Sequence, residues 1–560
     1  MRETYNVLSW TQVPDPVGGA AIKRYNIYKR TNGLFGWIGQ TDTASQVTFR
    51  DDNLTPDLGK TVPILDTSLS ATNNYPGAVS YFEQRKVIAG TNSTPAKVWM
   101  TRSNTEQDLS FSIPIKDSDR ISFTMRSRDN HQIRHIVSTG ELLILSDQGE
   151  WRVTPINSEA ITPESVSVRP QSYVGSSFVT PAVINNALVF CAARGGHVRQ
   201  MGFNFNAQGY TTADLSLRAA HLFDDFTIAD LAYMRSPLPI VWFVSSSGKL
   251  LGMTYIPEEG IAAWHQHETD GQFESVACIQ EGQVDSLYCV VKRTINGTSV
   301  RYIERLTDVR ANGSAAAYVD SHISFDGTHT GGKLLKLSEY LNGGWSKDAI
   351  ITVEESLAGS LFAQSDVGDY LEIRSGSDKY RMLVTERLTS SVVRCRLVED
   401  LPVSLWNTTV ATWAWARQTF AGATHLANEE VDVVADGVPL METTVVSASG
   451  TLTTSQHYTS IVMGIPYVSQ FVTLPLAMQA EAAGQGRTKN INKMWLRVDS
   501  TDERFWVGPE AMLTYPLVVE NQLPSTATSL ERQITLMPEV EPRRVNPCAS
   551  RTSRWPDHQW

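Results

Sequence analysis

The sequence predicts an all-β protein: a β-propeller core carrying smaller β-sandwich or β-barrel modules. Three observations predict it. An apolar run of five or six residues, a Gly-containing turn and a second apolar strand recur five times, starting near Arg85, Glu141, Asn186, Ile240 and Ser286. Consecutive starts lie about 45 to 56 residues apart, the spacing of four-stranded propeller blades. The turns inside the repeats carry "SDQG", "RGG", "SSG" and "ING", all compatible with the positive φ of tight hairpins.

Taken in order, residues 1–64 read as a partial fibronectin type III-like module. Its strands are "YNVLSW", "YNIYKR", "GWIGQT" and "QVTFRDD", with Trp10, Tyr25, Ile27 and Phe49 as core positions. A complete sandwich of this kind needs about seven strands, so the expectation is that the native protein starts further upstream. Residues 75–340 are the propeller core. One short helix is expected within it, "DLSLRAAHLF" at 214–223, with Thr212 or Asp214 as N-cap. Residues 345–415 form a small β module from "VGDYLEIRSGSDKYRMLVTERL" and "SVVRCRLV". Residues 416–540 are a further β region with a hairpin at Asp436–Gly437, and 541–560, which lose all periodicity, are a disordered or non-native tail.

Composition narrows the function. The 560 residues suffice for three or four domains with real cores, at roughly 150 residues each. Charged residues are only 19% and the net charge is −11, which argues against gripping a polyphosphate, because that affinity comes from Lys and Arg. Cys191, Cys278, Cys289, Cys395 and Cys548 lack CxxC spacing and read as reduced, mostly buried thiols. "MRETYNVLSW" has no signal-peptide pattern and no apolar run approaches membrane-spanning length, so the expected product is soluble and made in the cytoplasm. The sequon at Asn296 then has no glycosylation context.

Each chemical motif has a bland reading that outweighs the sharp one. In "AWHQHETDG", His265 and His267 share one face of a strand and could both reach a metal, but no third ligand segment is identifiable. The structural reading has Trp264 continuing the strand and Asp270 accepting backbone N–H bonds in a turn. "LSDQGEW" resembles an Asp-box, but Ser146 and Trp151 miss the spacing. No pair of carboxylates can be selected for glycosidic chemistry. "GQGRTKN", 484–490, lacks the GK[ST] of a phosphate loop and reads as a surface loop. His221 reads as a core or capped histidine, not a base. No catalytic, metal-binding or cofactor-binding residue is assigned.

Beyond these readings, "YPGAVSYFEQRKVIAGTNSTPAKVWMTRSNTEQDLSFS" followed by "IRHIVSTGELLILSDQGEWRV" resembles the propeller core of the nozzle, or tail tubular protein B type, of short-tailed bacteriophages. "PQSYVGSSFVTPAVINNALVFCAARGGHVRQMGF", "TTADLSLRAAHL", "LLGMTYIPEEGIAAWHQHETDG", "RYIERL", "THLANEEVDVVADG" and "VMGIPYVSQFVTLPL" continue it in the family's order, over roughly residues 8–540. The resemblance implies a non-enzymatic virion tail protein, assembled in the host cytoplasm. It would form a ring, typically of six copies, below the tail adaptor proteins, with tail fibres or spikes as further neighbours. DNA would pass through its lumen without sequence-specific binding, and no membrane segment or cofactor is implied. The chain departs from the family at both ends, which suggests a truncated reading frame and leaves closure of the propeller open. Two rival readings are a phage-borne propeller glycosidase or polysaccharide depolymerase, which needs convergent acids and aromatics in a pocket, and a fibronectin-plus-propeller adhesin.

Overall fold

The computed structural model of the chain describes residues 5–14, 21–62, 64–66, 69, 72–307, 319–341, 343–356, 359–375, 378–440 and 444–470, together with four short strands further on. The chain divides into two compact units, Met1–Tyr467 and Val468–Trp560. Among the described residues no helix is long and apolar enough to cross a membrane.

The five repeats become five antiparallel sheets in chain order, and each sheet is a meander. The first holds Ala78–Phe82, Arg85–Ala89, Lys97–Met100 and Ile121–Thr124, and the second Ile133–Ser138, Leu142–Ser146, Glu150–Thr154 and Ser167–Ser172. The third holds Ala182–Ile184, Ala187–Cys191, Val198–Asn204 and Gly209–Asp214, and the fourth Ile228–Met234, Ile240–Ser245, Leu250–Ile256 and Ile261–His267. The fifth has three strands, Gln272–Glu281, Val284–Ile295 and Thr298–Arg305. The first strand of the second, fourth and fifth sheets carries the same irregularity, one extra residue after its first paired or second residue, at Arg134, Ala229 and Glu274.

The apolar runs are continuous because the middle sheets are buried on both faces, whereas a half-buried strand would alternate. Leu142 and Ile144 face the first sheet, and Leu143 and Leu145 the third. Leu188 and Phe190 back onto the second sheet while Val189 and Cys191 face the fourth. Val241 and Phe243 then point to the third sheet, and Trp242 and Val244 to the fifth. None of these twelve side chains is more than 2% exposed. Each contributes about 1.5–3 kcal/mol by leaving water. Sheets joined face to face in chain order are the blades of a β-propeller.

Three of the repeat turns use positive φ, at Gly195–Gly196, Gly248 and Asn296–Gly297. The "SDQG" turn does not. There the Ser146 hydroxyl accepts from the Gly149 amide at 3.1 Å and donates to the Gly149 carbonyl at 2.7 Å. Gly149 is needed for space, since a Cβ would lie 2.6 Å from the Ser172 carbonyl.

The helix expected over 214–223 is corrected to a 3-10 segment, Leu217–Leu222, broken at Ala219 and led by Ser216. Thr212 and Asp214 lie in the preceding strand instead. Asp214 holds the Ser216 amide and hydroxyl with its carboxylate, which fixes a turn where an α-helical N-terminus would have to begin.

At the amino end, Asn6–Ser9 pairs with Thr48–Asp51, and Asn26–Thr31, Leu34–Gln40 and Asp57–Thr61 form a three-stranded sheet. Trp10 meets Tyr25 edge to face at 5.4 Å, Ile27 is buried, and Phe49 packs on Gly39, where a Cβ would lie 2.5 Å from the Phe49 ring. After the propeller, Thr328–Glu339, Ile350–Glu355, Val392–Leu397, Asp378–Arg387, Tyr370–Ser375 and Thr409–Ala421 follow one another around a barrel of six strands. The last pairs back with the first. Leu337, Ile351, Val353, Ile373, Cys395 and Trp413 fill it. A further sheet joins Asp320–Asp326, Ser460–Ile465 and Glu430–Ala435, and the Asp436–Gly437 hairpin has the positive φ values its sequence predicts.

In the second unit Met494–Val498 pairs with Leu530–Ile534 and Arg504–Trp506 with Pro516–Val518. The loop at 484–490, Cys548 and the tail at 541–560 lie outside the described residues.

Candidate functional site

His265 and His267 share a face of the strand Ile261–His267, the last of the fourth sheet, and their rings are hydrogen-bonded, Nδ1 to Nε2, at 2.8 Å. Trp242 flanks both rings at 5.4 and 5.3 Å. Gly252 lies opposite His265, where a Cβ would come within 2.0 Å of the imidazole. Desolvation, helped by His267, pulls His265 down to about 4, and desolvation also lowers His267, which keeps an exposed edge. Two neutral imidazoles that satisfy each other need no metal to explain them. Among the described residues no group of three His, Cys, Asp or Glu side chains could hold one. Trp264 continues the strand as its sequence suggests and donates its indole N–H to the Leu215 carbonyl. At Asp270 the group with a hydrogen bond is the main-chain carbonyl, which accepts from Arg293, and not the expected carboxylate.

A second cluster was not legible in the sequence. His197 Nδ1 lies 2.9 Å from the Ser216 hydroxyl and 3.3 Å from Asp214, and its Nε2 lies 3.4 Å from Asp224. These are the residue types of a nucleophilic triad. Their geometry is that of a clamp. Ser216 is fully buried, donates to Asp214 at 2.7 Å and accepts from the Val198 amide at 3.3 Å, so its oxygen has no path to a substrate. Burial raises the Asp214 pKa, but the Ser216 hydroxyl and amide, with Arg199 and His197, outweigh it and hold the carboxyl below its ordinary range. His221, on the 3-10 segment, is exposed and lies outside this cluster.

The buried acids are equally committed. Glu150 is fully buried, which raises its pKa against the pull of the Ser172 hydroxyl. Glu372 is ringed by Arg381 at 3.1 Å, Lys379 at 3.6 Å and Arg374 at 3.7 Å. Asp366 caps the Ala363 amide at 2.8 Å and pairs with Arg417 at 3.0 Å. Cys191 and Cys289 are buried thiols and Cys278 is half-buried, and desolvation pushes all three up to about 12. Burial also raises the thiol of Cys395, so none of the four is a nucleophile at neutral pH.

The most developed polar arrangement is the joint between the fifth sheet and the module that follows. Arg293 grips the Glu304 carboxylate with two nitrogens, at 2.5 and 2.7 Å, and also reaches Thr269 Oγ1 at 3.0 Å and the Asp270 carbonyl. Its side chain is only 1% exposed. Asp320 completes the joint: burial raises its pKa, with Thr269 and Arg293 pulling it down. Beside it His425 donates its Nε2–H to the Ser321 carbonyl, 3.0 Å away, and meets Tyr302 ring to ring at 6.2 Å. Desolvation and His425 lower the pKa of His322. Such a network holds two modules in register. It offers no open coordination position and no reachable nucleophile.

No family model matches the chain, and no curated protein matches it. Solved structures similar to it include YCF48 bound to D1 peptide (11% identity, 59% of this chain and 95% of that one, TM-score 0.26). A luciferin-regenerating enzyme is 9% identical over 61% of this chain and 99% of its own, with a TM-score of 0.25. Raptor from Chaetomium thermophilum is 10% identical over 59% of this chain and 28% of its own, with a TM-score of 0.26. At such scores these likenesses carry no argument about function, and the architecture stands on the strand pairing above.

Proposed function

We propose that this chain is a structural subunit of a short-tailed bacteriophage tail, of the nozzle type. Copies form a ring, typically of six, beneath the tail adaptor, with fibres or spikes alongside, and the ring conducts DNA outward without reading its sequence. The observation that carries this reading is the series of family-like segments in the sequence, of which those between Tyr75 and Leu306 lie on the five sheets in chain order. Their physical setting supports it. A stack of sheets buried on both faces is stiff, and polar contacts tie its last sheet to the sheet that begins at Asp320, so a subunit of this kind can carry load without deforming. Its formal charge of −11 suits a conduit that DNA must leave, provided acids line the lumen.

The test is negative-stain electron microscopy and sedimentation of the purified full-length chain. Rings are expected. A monomer that releases oligosaccharides from bacterial surface polysaccharide would replace the nozzle with a depolymerase, and a monomer that binds cells without cleaving anything would replace it with an adhesin.

A further inference from the structure

The turn "RGGH", between the second and third strands of the third sheet, touches the segment that leads out of that sheet at two points. One is steric. Gly196, at φ 65°, lies so close to the Phe226 carbonyl that a Cβ there would come within 2.1 Å of its oxygen. The other is polar: His197 sits between Asp214, at the end of the sheet, at 3.3 Å and Asp224, beyond the 3-10 segment, at 3.4 Å. The hydrogen bonds around the ring fix where its protons are. The Ser216 hydroxyl gives its one hydrogen to the Asp214 carboxylate, which can only accept, and its oxygen takes the Val198 amide. His197 Nδ1, 2.9 Å from that oxygen, must therefore donate to it. That leaves Nε2 facing the Asp224 carboxylate. In a neutral ring with its proton on Nδ1, Nε2 is a lone pair set against oxygen lone pairs, which repel; in an imidazolium it carries a hydrogen that Asp224 attracts.

We propose that His197 is a proton-operated latch on the segment that links the third sheet to the fourth. Charged, the ring holds Ser216 and Asp214 with one nitrogen and Asp224 with the other; neutral, it keeps Ser216 and lets Asp224 go. Phe223 is the pivot. It is fully buried, meets Trp264 edge to face at 4.7 Å and anchors the segment in the core between the two sheets whatever the charge on the ring. What swings is the stretch after it, where the Asp224 side chain is 55% exposed and Asp225 turns at φ 68°, a left-handed conformation that costs free energy outside glycine. The groups facing the imidazole are few. The sheet supplies Asp214 and Arg199, themselves paired at 3.4 Å, and the segment supplies Asp224 and the Phe223 ring, 6.3 Å away. Arg218, His221 and Asp225, on the segment itself, make no hydrogen bond or ion pair with His197. Two carboxylates thus stand against one guanidinium, and a charged His197 balances them. The closed latch holds a proton, so it is strongest in acid and weakens as the pH rises through about 5 to 8, the range in which histidines give up their charge.

The experiment is native-state hydrogen exchange of the full chain at about pH 5.5 and about pH 8, each rate divided by the intrinsic rate at that pH. The reporters are the Phe223, Asp224 and Phe226 amides, which bond to the Ala220 and Phe223 carbonyls inside the segment. Their protection should fall about two- to fivefold from the lower pH to the higher, the worth of a partly exposed ion pair, while the amides of Leu142–Ser146 keep theirs. Asp224→Asn, which replaces an exposed carboxylate, and His197→Gln, which keeps a neutral donor for Ser216, should each remove that dependence. His221→Gln should leave it. Protection that is equal at the two pH values, or greater at the higher, overturns the latch. So does a dependence that survives Asp224→Asn, that disappears in His221→Gln, or that Leu142–Ser146 shares in full.

Discussion

Replacing Arg293 by Met tests whether the buried ion pair to Glu304 holds together the last two strands of the fifth sheet and the turn that leads into it. The guanidinium makes two bonds to Glu304, one to Thr269 and one to the Asp270 carbonyl, with almost no exposure of its own. Met fills much of the same space but leaves a carboxylate whose side chain is 24% exposed and a carbonyl without their donor. Breaking one side of a buried pair costs about 3–5 kcal/mol, most of it from the stranded charge. The double variant Arg293→Met/Glu304→Met removes that charge and should cost less than Arg293→Met alone. A chain of several modules does not unfold in one step, so the measurement is native-state hydrogen exchange of the amides in Val284–Ile295. At about 1.4 kcal/mol per decade, their exchange should speed up by roughly a hundred- to several-thousandfold in Arg293→Met. The reasoning fails if Arg293→Met changes protection by less than about 1 kcal/mol, or if the double variant costs as much as Arg293→Met alone or more.

Three further outcomes are expected. His265, near 4 when folded and about 6.5 when unfolded, takes up its proton in the unfolded chain first. Its contribution to stability is therefore complete above about pH 6.5 and lost as pH falls toward 4, and NMR should show its ring neutral at pH 6; a midpoint near 6.5 contradicts this, as would one zinc or manganese per chain after chelator washing. Gly252→Ala pushes a methyl into the His265 ring and should break the His265–His267 bond, read as a rise in the His265 midpoint toward its ordinary value. Phe243→Ala opens a cavity between the third and fourth sheets and should cost about 3–5 kcal/mol by denaturant unfolding of that region; a cost under about 1 kcal/mol would mean the two sheets do not share a tight core.

What the sequence discloses depends on whether a feature is local. "ELLIL", "ALVFC" and "IVWFV" are legible because burial on both faces writes a continuous apolar run into one strand, and "ADG" because a hairpin needs positive φ at two adjacent residues. The strand Thr328–Glu339 is less legible. Gly331 and Gly332, both at positive φ, sit in a register shift between Thr330 and Leu335 that interrupts its apolar alternation, and it is this strand that closes the barrel. The stretch after Asp214 reads as a helix because its spacing suits one, yet the Asp214 carboxylate takes the Ser216 hydroxyl and amide and a 3-10 turn results. The joint around Arg293 had no local signature at all. Glu304 is its hairpin neighbour, but Thr269, Asp270 and Asp320 lie on segments that only the fold brings to it.

The same contrast says where this protein would yield under load. In the second, third and fourth sheets the inner strands present one set of side chains to the sheet before and the alternate set to the sheet after, so sliding one of these sheets past another would disturb two close-packed cores at once. Polar groups enter the stack mainly where it turns a corner. Arg85 spans the first sheet's long excursion by donating to the Thr101, Asp117 and Asp119 carbonyls, and Asp230 ties the first strands of the fourth and fifth sheets through Ser275 and the Val276 amide. After the fifth sheet, the contacts to the next module are polar or ring contacts, Asp320 with Thr269 and Arg293 and His425 with Tyr302. Hydrogen bonds and ion pairs have narrow geometric tolerance and exchange with water when strained, whereas apolar packing is non-directional. The joint should therefore open at lower free energy than any inter-sheet contact, and amides of Asp320–Asp326 should exchange before those of Leu142–Ser146 and Ile240–Ser245.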